Sequence, residues 1–333
     1  MSEQSNALRR PGRGRLLVLG GAALFGFNAS VSKVVLMTGV DPARLTALRC
    51  SGAALGLLLL LGLTAPERLR VPMSDLPRLA LLGLTGAALI QWLYFVAIDR
   101  LPVGIALLLE FTGPLMVAVY ARVVQRHAVH RQVWLALGLA LGGLALVAQV
   151  WTDVGLDPLG IAAALGAAVC LATFYLVGKS TVERLHPMTL SFWMFAFSAL
   201  FWAVVQPWWD FDWATLGREA SLLGALDGLH VPMWLPLLWV ILLGTLVPYA
   251  LEVVALRHLT PTSTGVIGMV EPVIAAAVAW VWLDEVLSPV QILGGIVVLV
   301  GVTLAQTARA RTRPAPELVQ PTVPDLEPAL VSG

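Results

Sequence analysis

Ten apolar runs, each long enough to cross a bilayer, constrain this chain more than any other feature. A spanning helix needs about 20 predominantly apolar residues. Such runs occupy roughly 16–37, 43–63, 77–98, 103–122, 133–151, 159–178, 188–207, 233–256, 262–283 and 290–308. In lipid the backbone must satisfy its own hydrogen bonds, so runs of this kind fold as helices. Of the 333 residues 58% are hydrophobic and 12% charged, against about 25% charged in soluble domains. The expected fold class is therefore an all-α polytopic membrane protein with ten transmembrane helices.

Orientation follows from basic residues beside the spans. With the N-terminal segment 1–15 placed in the cytoplasm, sixteen Arg and Lys fall on inner segments and four (Arg44, Arg49, Arg100, Arg218) on outer ones. Both termini are expected inside. Residues 309–333 carry five prolines after Arg313 and no apolar periodicity, and are expected to be a disordered cytoplasmic tail. The tryptophans of the long 208–232 connection, Trp208, Trp209 and Trp213, read as an interfacial belt.

The chain also repeats itself. Gly86 and Gly244, Ala97 and Ala255, Leu101 and Leu259, Pro114 and Pro272, and Gly143 and Gly301 are all 158 residues apart. Nearer the N-terminus the spacing is 146, which pairs the chain's two lysines, Lys33 and Lys179. The expected organisation is a first five-helix repeat at 16–151 and a second at 159–308. Five is odd, so the second copy enters from the opposite side, giving two inverted five-helix repeats, an arrangement of secondary transporters. Gly52/Gly56 and Gly138/Gly142 are spaced to let helices approach closely.

Two polar interruptions fall near mid-membrane depth: Glu110-x-x-Gly113-Pro114 in the fourth run and Gly268-x-x-Glu271-Pro272 in the ninth. A charged side chain at the bilayer centre costs about 2.5–3.5 kcal/mol even on the lenient insertion scale. Water in a cavity, a proton or a partner must offset it. The bland reading is a protonated glutamate bonded between helices; the functional one makes Glu110 and Glu271 proton-coupling candidates and substrate contacts. Each proline frees the carbonyl four residues back, that of Glu110 in one run and Gly268 in the other.

The eighth run places Pro248, Tyr249 and Glu252 on one helix face, with Glu252 at either a cytoplasmic mouth or a solvated rim. The matching third-run face carries Gln91 and Tyr94, with Trp92 beside them, a candidate pocket wall. Asn28 and Lys33 in the first run are further binding candidates, with snorkelling as the alternative for both lysines. Cys50 and Cys170 lie in apolar runs without CxxC spacing and read as packing residues. There is no GxxxxGK[ST], HExxH or GxSxG, and the histidines lie in connections or at helix ends. Neither an ATP motor, a metal site, a cofactor nor a catalytic constellation is expected.

The five-plus-five layout, with Glu271-Pro272 followed by Leu283-Asp284-Glu285-x-x-Ser288-Pro289, resembles the EamA-domain transporters of the drug/metabolite transporter superfamily. Four stretches look like the threonine/homoserine exporters within it: Thr46-Ala-Leu-Arg49; Pro102-Val-Gly-Ile-Ala106 leading to Leu109-Glu-Phe-Thr-Gly-Pro114; Pro248-Tyr-Ala-Leu-Glu252; and Met269-Val-Glu-Pro272. The resemblance implies a central cavity emptied outward across a bacterial inner membrane at the expense of the proton gradient. On its matched positions it points to Glu110, Phe111, Pro114, Tyr249, Glu252 and Glu271. The expected partners are a small-molecule substrate, the proton and the lipid bilayer, with no nucleic acid. Two readings stand against amino-acid export: carriage of another small metabolite, and a non-transporting membrane scaffold or lipid-handling subunit. The scaffold predicts a dry bundle with its glutamates hydrogen-bonded.

Overall fold

The computed structural model describes residues 10–101, 103–126, 129–150, 157–284 and 286–307. The expected tail 309–333, the initial residues 1–9, and Pro102 and Glu285 of the quoted motifs lie outside the described residues. Among the described residues nine helical stretches are long and apolar enough to cross a membrane. The tenth run forms a further apolar helix, Pro289–Thr307.

Two spans are single long helices at the start, α1 (Pro11–Met37) and α2 (Pro42–Thr64). The third is α3 (Leu76–Gly83) and α4 (Ile90–Arg100), joined through a π-helical segment, Leu84–Leu89. The fourth is broken into α5 (Val103–Glu110) and α6 (Gly113–Val123). Then follow α7 (Arg131–Ala148), α8 (Pro158–Val182) and α9 (Pro187–Val205). The eighth is α10 (Trp234–Ile241) and α11 (Val247–His258) around a second π-helical segment, Leu242–Leu246. The ninth is again broken, into α12 (Pro261–Gly268) and α13 (Glu271–Trp282), and α14 (Pro289–Thr307) closes the bundle.

The 158-residue spacing reappears in the backbone. Both π-helical segments begin at positions that far apart, Leu84 and Leu242, and both helix breaks restart at Gly113 and Glu271. In each break proline is the second residue of the new helix, where its missing N–H costs nothing.

The connection 208–232 departs from an all-α fold. Its residues Glu219–Ser221 (β1) and His230–Pro232 (β2) pair antiparallel, with Ala220 opposite Val231. The hairpin reverses through Leu223 and Gly224, both at positive φ (62° and 49°). A Cβ at Gly224 would collide with the Trp282 carbonyl at the end of α13, and the Trp282 indole N–H donates to the Leu222 carbonyl at 2.9 Å. The turn chemistry and the tryptophan anchor explain a hairpin that apolar periodicity does not reveal.

Close helix contacts fall partly where the glycine spacing places them. A Cβ on Gly52 would sit 2.7 Å from Ile241, and one on Gly56 3.0 Å from Leu246. Gly138 and Gly142, by contrast, face open space. Their neighbour Gly143 makes the contact instead: α7 crosses α14 with Gly143 against the Gly294 carbonyl and Gly294 against the Gly143 carbonyl, at 2.7 and 2.6 Å from the added Cβ. Backbone atoms cannot move aside as a side chain does. Overpacking of this kind costs about 1–3 kcal/mol, so Gly143→Ala or Gly294→Ala should lower the melting temperature of the detergent-solubilised protein by several degrees. Gly138→Ala and Gly142→Ala should leave it unchanged, and equal shifts in all four variants would refute this account of the α7–α14 crossing.

The His186 cap of α9 depends on pH. His186 Nδ1 accepts the Met188 N–H at 3.3 Å at the start of α9. Burial, with Arg68 and Arg257 nearby, lowers the proton affinity of its ring below the ordinary 6.5. The neutral ring is the capping form, so its stabilisation is full above pH 6.5 and is lost as pH falls through the lowered value. Melting should therefore weaken on mild acidification. His186→Asn, a cap that does not titrate, should remove that component of the pH dependence; an unchanged profile would exclude the His186 cap as its source.

Candidate functional site

The two helix breaks meet in the interior. At the first, α5 ends at Glu110, the chain turns through Phe111 and Thr112, and the Thr112 hydroxyl returns to the Leu109 carbonyl at 2.6 Å. Phe111 is 6% exposed and Pro114 is buried. At the second, α12 ends at Gly268, Met269 and Val270 turn, and Glu271 opens α13. The Pro114 ring packs on Gly265 of α12, where a Cβ would lie 2.8 Å from it. One break is thus seated directly on the helix that carries the other.

Three glutamates gather around this junction. Glu252 of α11 is buried at 6% exposure, its Cγ against Gly21 of α1; this is an interior position, not a solvated rim. Pro248 and Tyr249 share its face and its burial, and Tyr249 is enclosed by the rings of Phe25, Phe174 and Phe195 with centroids 5.2–5.9 Å away. Glu271 senses the charges of Glu252, Glu110 and Arg49. The Tyr94 hydroxyl lies within electrostatic reach of Glu110 and Glu271. None of the three carboxylates hydrogen-bonds to a described residue, and none has its oxygens sealed off as the Asn28 Oδ1 and Ser32 Oγ are.

Asn28 belongs to the same interior region. It is 5% exposed and its carboxamide rests on Gly244, where a Cβ would collide with it. Trp92, 41% exposed on α4, and Lys33, exposed on α1, are less buried than this group. Lys179 does not snorkel into bulk water: its ammonium donates to the Leu256 carbonyl at 2.6 Å and pairs with Glu183 at 3.3 Å, tying α8 to α11.

Two residues of the site escaped the sequence reading. Tyr175 of α8 is 2% exposed, touches both Gly265 and Gly268, and lies within electrostatic reach of Glu252, Glu271 and Glu110. Arg49, counted by its position near the start of the second run as an outer boundary residue, is 4% exposed. Its Nε donates to Thr245 Oγ1 at 2.8 Å, Nη2 to the Gly244 carbonyl at 2.9 Å and Nη1 to Gln91 Oε1 at 3.1 Å. The usable signal was its place seven residues inside an apolar helix.

A separate cavity of about 750 Å³ opens between α2, α9 and α10, lined mainly by apolar side chains such as Leu48, Leu55, Ala203, Trp213 and Leu237. The glutamates do not line it.

A multi-pass helical bundle with broken helices and unbonded carboxylates turned inward has the construction of a membrane transporter. The chain belongs to the EamA-like transporter family, whose model matches residues 12–149 and 158–307. It is 32% identical over 289 residues to the threonine/homoserine exporter RhtA of Salmonella typhimurium, covering 86% of this chain and 88% of that one. It is 31% identical over 300 residues to the threonine/homoserine exporter RhtA of Escherichia coli, covering 90% and 92%. An uncharacterized transporter of Bacillus subtilis, YdfC, is 24% identical over 270 residues. A solved crystal structure of a protein superposes with a TM-score of 0.70 over 90% of this chain and 98% of that one, at 16% identity; that likeness concerns the fold alone. The chain is a transporter and not an enzyme.

Proposed function

We propose that the chain exports small hydrophilic amino acids of the threonine and homoserine kind across a bacterial inner membrane, driven by proton entry. The observation that carries this reading is the group of three interior carboxylates, Glu110 and Glu271 at the paired helix breaks and Glu252 on α11, each without a hydrogen-bond partner among the described residues. Such groups suit a substrate ammonium and a coupling proton. The relatives named as threonine/homoserine exporters supply the substrate class.

Two inverted five-helix units, 16–151 and 159–308, alternate access to this site by rocking against each other, with ten spans and both termini inside. The matched π-helical segments and matched breaks support the repeat; sixteen inner basic residues against three outer ones (Arg44, Arg100 and Arg218, with Arg49 buried in the interior) support the orientation. A scaffold predicts hydrogen-bonded glutamates; that these three have no such partner among the described residues supports transport instead.

Counterflow in proteoliposomes tests the reading. Vesicles loaded with unlabelled amino acid should accumulate labelled threonine or homoserine saturably. A folded protein that accumulates no member of a broad amino-acid panel would transfer the reading to another small metabolite.

A further inference from the structure

We propose that Arg49 forms the subsite that receives the substrate's carboxylate. The inference rests on the amino-acid reading above and assigns the second charge of the zwitterion, which the glutamates leave unaccounted for.

Arg49 is a buried cation whose acceptors are all neutral: a hydroxyl, a carboxamide oxygen and a backbone carbonyl. Among the described residues no carboxylate lies within ion-pair distance of it, and those three are its hydrogen bonds. Taking a guanidinium out of water without a counter-charge is costly, so the fold holds a full positive charge in its interior and leaves it uncompensated at contact range. A guanidinium has five N–H groups. Three are used, and one remains on each terminal nitrogen, the number a carboxylate takes from an arginine fork.

The group is also held in place. Gly244 and Thr245 belong to the π-helical segment Leu242–Leu246, where the widened turn frees backbone acceptors. The Thr245 hydroxyl is itself fixed by donating to the Val240 carbonyl at 2.7 Å. Gln91, the third acceptor, lies just after the matching π-helical segment of the other half. Arg49 therefore spans the two halves at the level of both distortions. Glu271 lies within electrostatic reach of Arg49, so an α-amino acid placed between them would meet a cation with its carboxylate and an anion with its ammonium.

The test uses the full chain in proteoliposomes, with labelled threonine in counterflow and two competitors, unlabelled threonine and threonine amide, which keeps the ammonium and lacks the carboxylate. Wild-type protein should prefer threonine over the amide by about tenfold to a hundredfold, the range of a charged hydrogen-bonded contact. Arg49→Gln should weaken threonine while leaving the amide nearly unchanged, so that the preference collapses toward one. Arg49→Lys, which keeps the charge and loses the fork, should retain an intermediate preference, and it carries the test if the glutamine variant fails to fold. A preference unchanged in the variants, with both competitors weakened alike, overturns the inference and reduces Arg49 to a structural tie. Wild-type protein that carries no amino acid at all removes the amino-acid reading, and this inference with it.

Discussion

Glu110→Gln should leave threonine exchange intact and abolish the acceleration of export by an inwardly directed proton gradient, whereas Glu271→Gln should impair both. The two carboxylates occupy matched breaks but opposite helix ends. Glu271 opens α13, at the positive end of that helix's dipole, and senses Arg49 besides; it is suited to face a substrate ammonium as an anion. Glu110 closes α5, at the negative end of its helix, and is suited to carry the proton. A glutamine mimics the protonated carboxyl in shape, so Glu110→Gln holds the carrier in its loaded form without enlarging the space. The measurement is paired: counterflow without a gradient, then net efflux with one. Glu271→Gln should slow counterflow by about tenfold or more, the loss of one charged contact. The opposite pattern, with Glu271→Gln alone uncoupled, would exchange the two roles; two variants that both respond to the gradient would remove glutamate from proton coupling.

The second large effect is expected from a methyl group. Gly265→Ala places a Cβ 2.8 Å from Pro114 Cγ, 2.9 Å from Pro114 Cβ and 3.2 Å from the Tyr175 ring. A proline ring has almost no freedom to retreat, and Tyr175 is enclosed on its other sides. The strain falls on the seat between the two breaks, and a strain of about 1–3 kcal/mol displaces a two-state equilibrium by roughly five- to 150-fold. Initial counterflow rates should fall by about tenfold or more while the protein remains folded by size exclusion. Gly268→Ala is the companion: its Cβ would meet only the Tyr175 hydroxyl, at 3.3 Å, and a small shift of that hydroxyl relieves it. Equal rates in wild type and Gly265→Ala would show that the breaks do not depend on this close approach.

The spans and breaks could be read from the sequence because lipid imposes length and composition on one and makes a Glu with Gly and Pro conspicuous in the other. The burial of Glu252 could not: its distance from the end of the run suggested access to water, but α1 covers it through Gly21. Arg49 was misplaced for a related reason. Arginine near a span end is ordinarily a boundary residue, and what draws this one inward is a carbonyl and a hydroxyl almost 200 residues away in chain order. Tyr175 carried no pattern at all. The glycines of α7 failed by a single position, because a helix rotates 100° per residue and Gly142 and Gly143 consequently face different surroundings.

The 219–232 hairpin has an implication for observing the carrier at work. Its turn is fastened to the far end of α13, by the Trp282 indole on Leu222 and by the close seat of Gly224 on the Trp282 carbonyl. Glu271 begins that same helix. A tilt of α13 that starts at the buried acid is therefore delivered as displacement to an exposed ribbon more than a helix length away. A dye on the exposed Asp227 or Leu229, read against a second dye on another exposed loop, would report the transport cycle in real time without a label in the substrate path.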